Sequence, residues 1–169
     1  MNLYLLRHGI AHPLGRKNDF TDESRTLTSP GRDRMREAAK GMRRLGIRLD
    51  LIVTSPLARA LETAQIVGEV VGVEDQMIEL SANLAPGGSF DALFTELKQH
   101  KPAEAVALVG HQPDLGSLAG RIIAGDSSLA LPLKKGGVCC INIVETVPAF
   151  RGNLVWLLTP KQLRLIGKG

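Results

Sequence analysis

Aromatic side chains are scarce in this chain, which has one Trp, one Tyr and four Phe among 169 residues. Aliphatic side chains must therefore fill the core, and a stacking platform for nucleobases is nearly absent. Cysteine is limited to Cys139 and Cys140, side by side in a stretch that reads as a strand. Neighbours on a strand point to opposite faces, so a disulfide between them would be strained, and no third cysteine exists to pair with either. They read as reduced strand residues of a reducing compartment. No apolar run approaches the length of a membrane span. The apolar start is too short for a signal peptide and has no basic leader. A cytoplasmic protein without a membrane partner is the expectation. An acidic excess is lacking too: the net charge is +4 and the pI about 9.3. That balance suits an anionic ligand but is too small and dispersed to indicate nucleic acid. Repeats and low-complexity linkers are also missing, and the length suits one domain over residues 1–169 with a proper core.

What is present alternates between apolar strands and amphipathic helices. "LYLL" is a buried strand, and a polar segment from His12 to Arg25 follows it. Met35, Ala38, Ala39, Met42 and Leu45 recur at helical spacing, with Ser29 as N-cap, Pro30 at the first position and Gly46 as the stop. "LDLIVTSP" is a strand, and a helix follows with Leu57, Leu61, Ala64 and Val67 on one face. "DQMIEL" reads as a strand, "FDALFTELKQH" as a helix capped by Ser89, "AVALVGHQP" as a strand buried on both faces, and "DLGSLAGRIIAG" as a helix. "GGVCCINIVET" and "NLVWLLTP" read as an antiparallel pair turning around Pro148 to Gly152. This order predicts an α/β fold, a parallel sheet covered by helices on both faces.

Ligands of open α/β sheets bind outside the carboxyl ends of the strands. Here three strands end in reactive residues: Arg7 and His8 after the first, Arg59 after "IVTSPLA", and His111 after "AVALVG". Gly9 and Gly110 beside the histidines allow a ligand to approach the backbone closely. Arg59 sits at the helix end whose dipole prefers anions, so with free backbone N–H groups it forms an oxyanion cradle. Taken singly each of these residues is an ordinary strand-end or surface group; together they form a specific constellation. Two guanidinium forks neutralise the spread charge of a phosphoryl group. A neutral imidazole, with a reference pKa of about 6.5, is a competent nucleophile near neutrality. Metal binding is the competing use of histidine, but the arginines repel a cation and no carboxylate flanks either His. No metal and no cofactor are expected.

"LRHG", "SPLARALETA" and "VGHQPDL" at these separations resemble the histidine phosphatase superfamily, the relatives of phosphoglycerate mutase, and more closely its short SixA-type branch of phosphohistidine phosphatases. The resemblance runs from Leu3 to about Leu118, with looser matches in "DESRTLTSPG", "LAPGG" and "LPLKKGGV". It implies a three-layer α/β/α sandwich whose mixed, mainly parallel sheet holds the N-terminal strand at its centre. It also implies that His8 forms a phosphohistidine intermediate and that Arg7, Arg59 and His111 complete the phosphate pocket. Larger members carry a glutamate that protonates the leaving group. Here Glu79 and Asp22 are the candidates, with a solvated strand-end role for Glu79 and pairing with Arg25 for Asp22 as the alternatives. A weak or missing acid favours a phosphoramidate over an alcohol leaving group. The short chain, without an insertion long enough to close over a sugar, points the same way. The expected substrate is therefore a phosphohistidine protein such as a phosphotransfer domain. A small-molecule phosphomonoesterase or a mutase is the alternative within the family, the segment from His12 to Arg25 being the candidate cover that a mutase needs. A phosphate-binding module without turnover is the alternative outside it. Lys134 and Lys135 read as a solvated turn or as a dock for an acidic partner.

Overall fold

In the computed structural model, which describes residues 1–14, 21–100, 103–126 and 128–169, the first strand, β1 (Asn2–Arg7), lies inside a six-stranded sheet. Its neighbours are β4 (Ala105–Gly110), parallel, and β5 (Val138–Glu145), antiparallel. β2 (Leu51–Thr54) pairs in parallel with β4 and with β3 (Ile78–Leu80), while β6 (Arg151–Leu158) closes the other edge against β5. The order β3-β2-β4-β1-β5-β6 is mixed and mainly parallel, with the N-terminal strand internal, as expected.

Side-chain alternation along β1 creates two cores. Leu3 and Leu5 face one side, where α3 (Phe90–Gln99) and α4 (Asp114–Ala124) bring Leu93, Phe94, Leu115 and Leu118. Tyr4 and Leu6 face the other, filled by Met35 and Met42 of α1 (Ser29–Arg44), Ala60 and Val67 of α2 (Ala58–Val71), and Leu163 of α5 (Pro160–Lys168). The result is three layers, helices on both faces of one sheet. Cys139 and Cys140 fall into opposite cores, both unpaired, and burial pushes the Cys139 thiol up to about 12. Such thiols are inert packing residues.

Several local readings shift. The N-cap of α1 is Thr28, whose hydroxyl accepts from Gly31 N at 3.0 Å, so Ser29 is already helical. Two adjacent hydroxyls offered the same signal, and only the first has the extended backbone of a cap. The buried face of α2 runs through Ala60, Thr63, Ala64 and Val67, leaving Leu61 half-buried. "DQM" is a 3-10 turn and the strand begins only at Ile78. Ser89 caps α3 as expected. The C-terminal α5 had no counterpart in the sequence reading, although Thr159 and Gln162 form a complete capping box at its start. Among the described residues no helix is long and apolar enough to cross a membrane.

α5 docks on α1 through close backbone approach: a Cβ at Gly41 would collide with the Leu163 carbonyl oxygen. In an exposed helix a Gly-to-Ala exchange gains up to about 1 kcal/mol. At Gly41 the collision reverses the sign. Gly41→Ala is expected to lower stability by about 1–3 kcal/mol in urea denaturation, and a gain would show that α5 is not seated there.

Candidate functional site

Parallel pairing of β1 with β4 puts Arg7 in register with Gly110, and His8 N donates to Gly110 O at 3.1 Å. His8 and His111 therefore leave adjacent strands at the same level, and their ring centroids lie 5.1 Å apart. On the far side of β4, Ser55 N donates to Val109 O at 2.9 Å, which sets Ser55 Oγ 2.9 Å from His111 Nε2. Arg59 stands on the first turn of α2, directly after β2. Sheet register thus brings all four basic side chains to one end of the sheet. His8, Arg59 and His111 are 6%, 3% and 4% exposed, so the Arg59 charge is felt in a low-dielectric setting.

The orientation of His8 is fixed by its own neighbour. Nδ1 lies 2.7 Å from the Gly9 carbonyl oxygen, the geometry of an N–H donor, which leaves the lone pair on Nε2. Gly9 is pinned in turn, its N–H donating to Thr63 Oγ1 at 3.0 Å while that hydroxyl donates to Arg59 O at 2.7 Å. One hydroxyl on α2 therefore ties the turn after β1 to the helix that carries Arg59. From the other side, Gly136 N donates to Arg7 O and His8 O at 2.9 and 3.1 Å. Arg7 Nη1 donates to Leu133 O at 2.9 Å. The "LPLKKGGV" segment thus clasps β1.

Burial sets the protonation states. His8 falls to about 3, mainly through desolvation, with His111, Arg59 and Arg7 adding to the effect against the Gly9 hydrogen bond. His111 falls to about 4 through desolvation and then Arg59. Both imidazoles are neutral at pH 7. Desolvation also lowers both arginines, which nevertheless keep their charge. Among the described residues, Arg7 Nε and Arg59 Nε are buried donors with no acceptor. Unpaired buried donors on cations are costly, and two guanidinium charges acting on one imidazole suit an oxyanion.

The two candidate acids part company. Asp22 accepts from Arg25 and also meets Arg59, through Oδ2 at 3.1 Å and through its carbonyl oxygen. The Arg25 hydrogen bond, followed by those of Arg59, holds its carboxyl below the usual range. It is at the site but ionised, and its expected pairing with Arg25 is present. Glu79 lies instead 3.3 Å from His100 Nε2, at the end of α3, and is not gathered with the four basic residues. Two smaller readings also change. Leu57 N and Ala58 N are taken by Ser55 Oγ and Glu23 O, so those two amides are not free to cradle a ligand. Gly9 is packed against Leu27, and Gly110 against Leu84 and Leu115, so protein rather than ligand occupies their open side. The sequence reading missed Ser55 and Thr63; Thr63, one helical turn after Arg59, had a spacing signal. Residues 15–20 of the segment read as a cover lie outside the described residues. Among the described residues no group of three or more His, Cys, Asp or Glu is placed to hold a metal ion.

Two outcomes follow from this geometry. Thr63→Val keeps the shape but strands the Gly9 N–H, which should cost about 1–3 kcal/mol in denaturant titration, whereas Thr63→Ser should stay near the parent. Equal stability of all three would remove the hydroxyl from the account. Because the folded His8 value lies below the unfolded one, the unfolded chain binds the extra proton between about pH 6.5 and about 3. Stability should fall with pH through that window, and His8→Ala should flatten the slope. An unchanged slope contradicts a buried neutral His8.

With the geometry in hand, the chain can be set beside known proteins. The sequence profile of the histidine phosphatase superfamily (branch 1) matches residues 3–87. An uncharacterized protein of Picosynechococcus sp. is 38% identical over 96% of this chain and 99% of its own. Phosphohistidine phosphatase SixA of Escherichia coli is 24% identical over 98% of both chains. A solved structure of the protein histidine phosphatase SixA complexed with tungstate superposes with a TM-score of 0.84, at 22% identity over 96% of this chain and 99% of the other. That likeness carries the fold, and the profile match carries the family: this chain belongs to the histidine phosphatase superfamily, branch 1.

Proposed function

We propose that the chain is a metal-independent phosphatase in which His8 takes up the phosphoryl group, and that its substrate is protein phosphohistidine. The observation that carries this reading is the bond from His8 Nδ1 to the Gly9 carbonyl. It holds a neutral imidazole with Nε2 free, buried among two arginines and a second histidine. A phosphoryl group meeting this pocket finds a nucleophile that needs no deprotonation. Arg7, Arg59 and His111 pair its oxygens, and a dianion beside His111 raises the proton affinity that burial had lowered. The phosphorus–nitrogen bond of the substrate breaks as the bond to His8 Nε2 forms. The departing imidazole takes its proton from solvent. Water then attacks the phosphorus, His8 leaves with its lone pair restored, and inorganic phosphate departs.

Substrate preference follows from the state of the two candidate acids among the described residues. An alkoxide leaves at neutral pH only with an acid beside it. Asp22 is held ionised by Arg25 and Arg59, and Glu79 is engaged with His100. An imidazole leaving group does not need such an acid. The SixA relatives, one named a phosphohistidine phosphatase and one crystallised with tungstate, a tetrahedral oxyanion, support the same reading.

Initial rates on a histidine-phosphorylated phosphotransfer domain, an aryl phosphate and sugar phosphates test it. The phosphohistidine protein should lead in kcat/KM by at least about tenfold, and His8→Ala should lose about 10³-fold or more on every substrate. A reversed ranking makes the chain a small-molecule phosphomonoesterase. A His8→Ala variant as fast as the parent removes the nucleophile assignment.

A further inference from the structure

Beside Arg7 the protein surface opens into a groove lined by Ile10, Gln112, Leu133, Lys134, Lys135 and Pro160. A smaller recess continues it, sharing Ile10, Lys135 and Pro160 and adding Arg34 of α1 and Arg164 of α5. Among the described residues no carboxylate lines either hollow. The cations here differ from others on the same helix. Arg32 and Arg36 turn toward α2 and pair with Glu62 and Glu69 at 2.9 and 2.8 Å. Arg34, Lys134 and Lys135 have no ion-pair partner among the described residues, and Arg164 meets Glu37 only at 3.7 Å. Gln112 donates through Nε2 to Leu131 O at 3.1 Å, which fixes its side chain against the wall of the groove.

We propose that this groove docks an acidic face of the histidine-phosphorylated protein, so that carboxylates on the partner meet Lys134, Lys135, Arg34 and Arg164 while the phosphoryl group reaches His8. The proposal rests on the reading of protein phosphohistidine as substrate. Three observations select this occupant. Arg7, Lys134, Lys135, Arg34 and Arg164 line the two adjoining hollows from β1 to α5, an electrostatic complement to carboxylates on one partner face. Apolar contact is available between them from Ile10, Leu133 and Pro160. A nucleic acid, the other ligand of basic grooves, would want stacking surfaces, yet Tyr4 and Trp156 pack on each other at the core, 6.0 Å apart.

The test compares the parent with Arg34→Glu/Lys135→Glu, using a histidine-phosphorylated phosphotransfer domain with an acidic surface and, in parallel, p-nitrophenyl phosphate. Raising salt from about 50 to about 300 mM should cut the parent's kcat/KM on the phosphoprotein about tenfold and leave the aryl phosphate nearly unchanged. The double variant should lose about tenfold on the phosphoprotein, in KM rather than kcat, and show a flatter salt response. No change on the phosphoprotein, or an equal loss on both substrates, overturns the docking surface. So does parental binding to an oligonucleotide that exceeds binding to the acidic domain. Direct binding of the unphosphorylated domain separates the two readings. Binding that the double variant loses, without turnover by the parent, keeps the surface and overturns the substrate. Turnover indifferent to salt and to the variant does the opposite.

Discussion

The parallel register of β1 against β4, Arg7 opposite Gly110, governs where every other group at the site can stand. Two histidines cannot be brought to about 5 Å in a buried setting by loops alone without ordering those loops at large entropic cost. Here the cost falls on strands whose ordering the two cores already require: Leu3, Leu5 and Leu6 on β1 and Leu108 and Val109 on β4 are fully buried. The sheet delivers His8 and His111 as a consequence of its own packing. A slip of one residue would send each side chain to the other face and would separate the imidazoles from Arg59.

Positive charge concentrated in a dry pocket explains the remaining geometry. Arg59 is almost fully buried, and such a guanidinium is expensive unless something anionic meets it. The loop at Asp22 meets it on one edge, through both side chain and backbone, while Nε has no acceptor. Desolvation first, and the neighbouring cations second, keep both histidines neutral. Cationic charge and a neutral nucleophile coexist because desolvation acts more strongly on imidazole, which can shed its proton, than on guanidinium, which cannot. In the proposed reaction an incoming phosphoryl group relieves that arrangement, supplying a counter-charge for the arginines and for His111.

Much of this was legible in the sequence, because the signals were local and periodic. The strands and the first four helices followed from apolar spacing, and the positions of Arg7, His8, Arg59 and His111 followed from the rule that α/β ligands lie past strand ends. The illegible parts share a different cause: they depend on contacts between distant segments. Nothing near Asp22 announces that it reaches Arg59 as well as Arg25, and nothing near Glu79 announces His100. Thr63 reads as a mid-helix threonine until Gly9 is seen against it. α5 is short, with Leu163 its one buried side chain, although its capping box was written in "TPKQ". Thr28 and Ser29 show the limit of local signals, since two adjacent hydroxyls compete for one cap.

The central claim is that His8 Nε2 carries the phosphoryl group between substrate and water. The most direct measurement is a rapid-quench experiment with a substrate protein labelled with ³²P on histidine, stopped in alkaline detergent during turnover. The account predicts label on this chain that is stable to base and labile to acid, as a phosphorus–nitrogen bond is, located in the peptide containing His8 and absent from His8→Ala. Turnover with no label on the chain, or with acid-stable label on another residue, would contradict it.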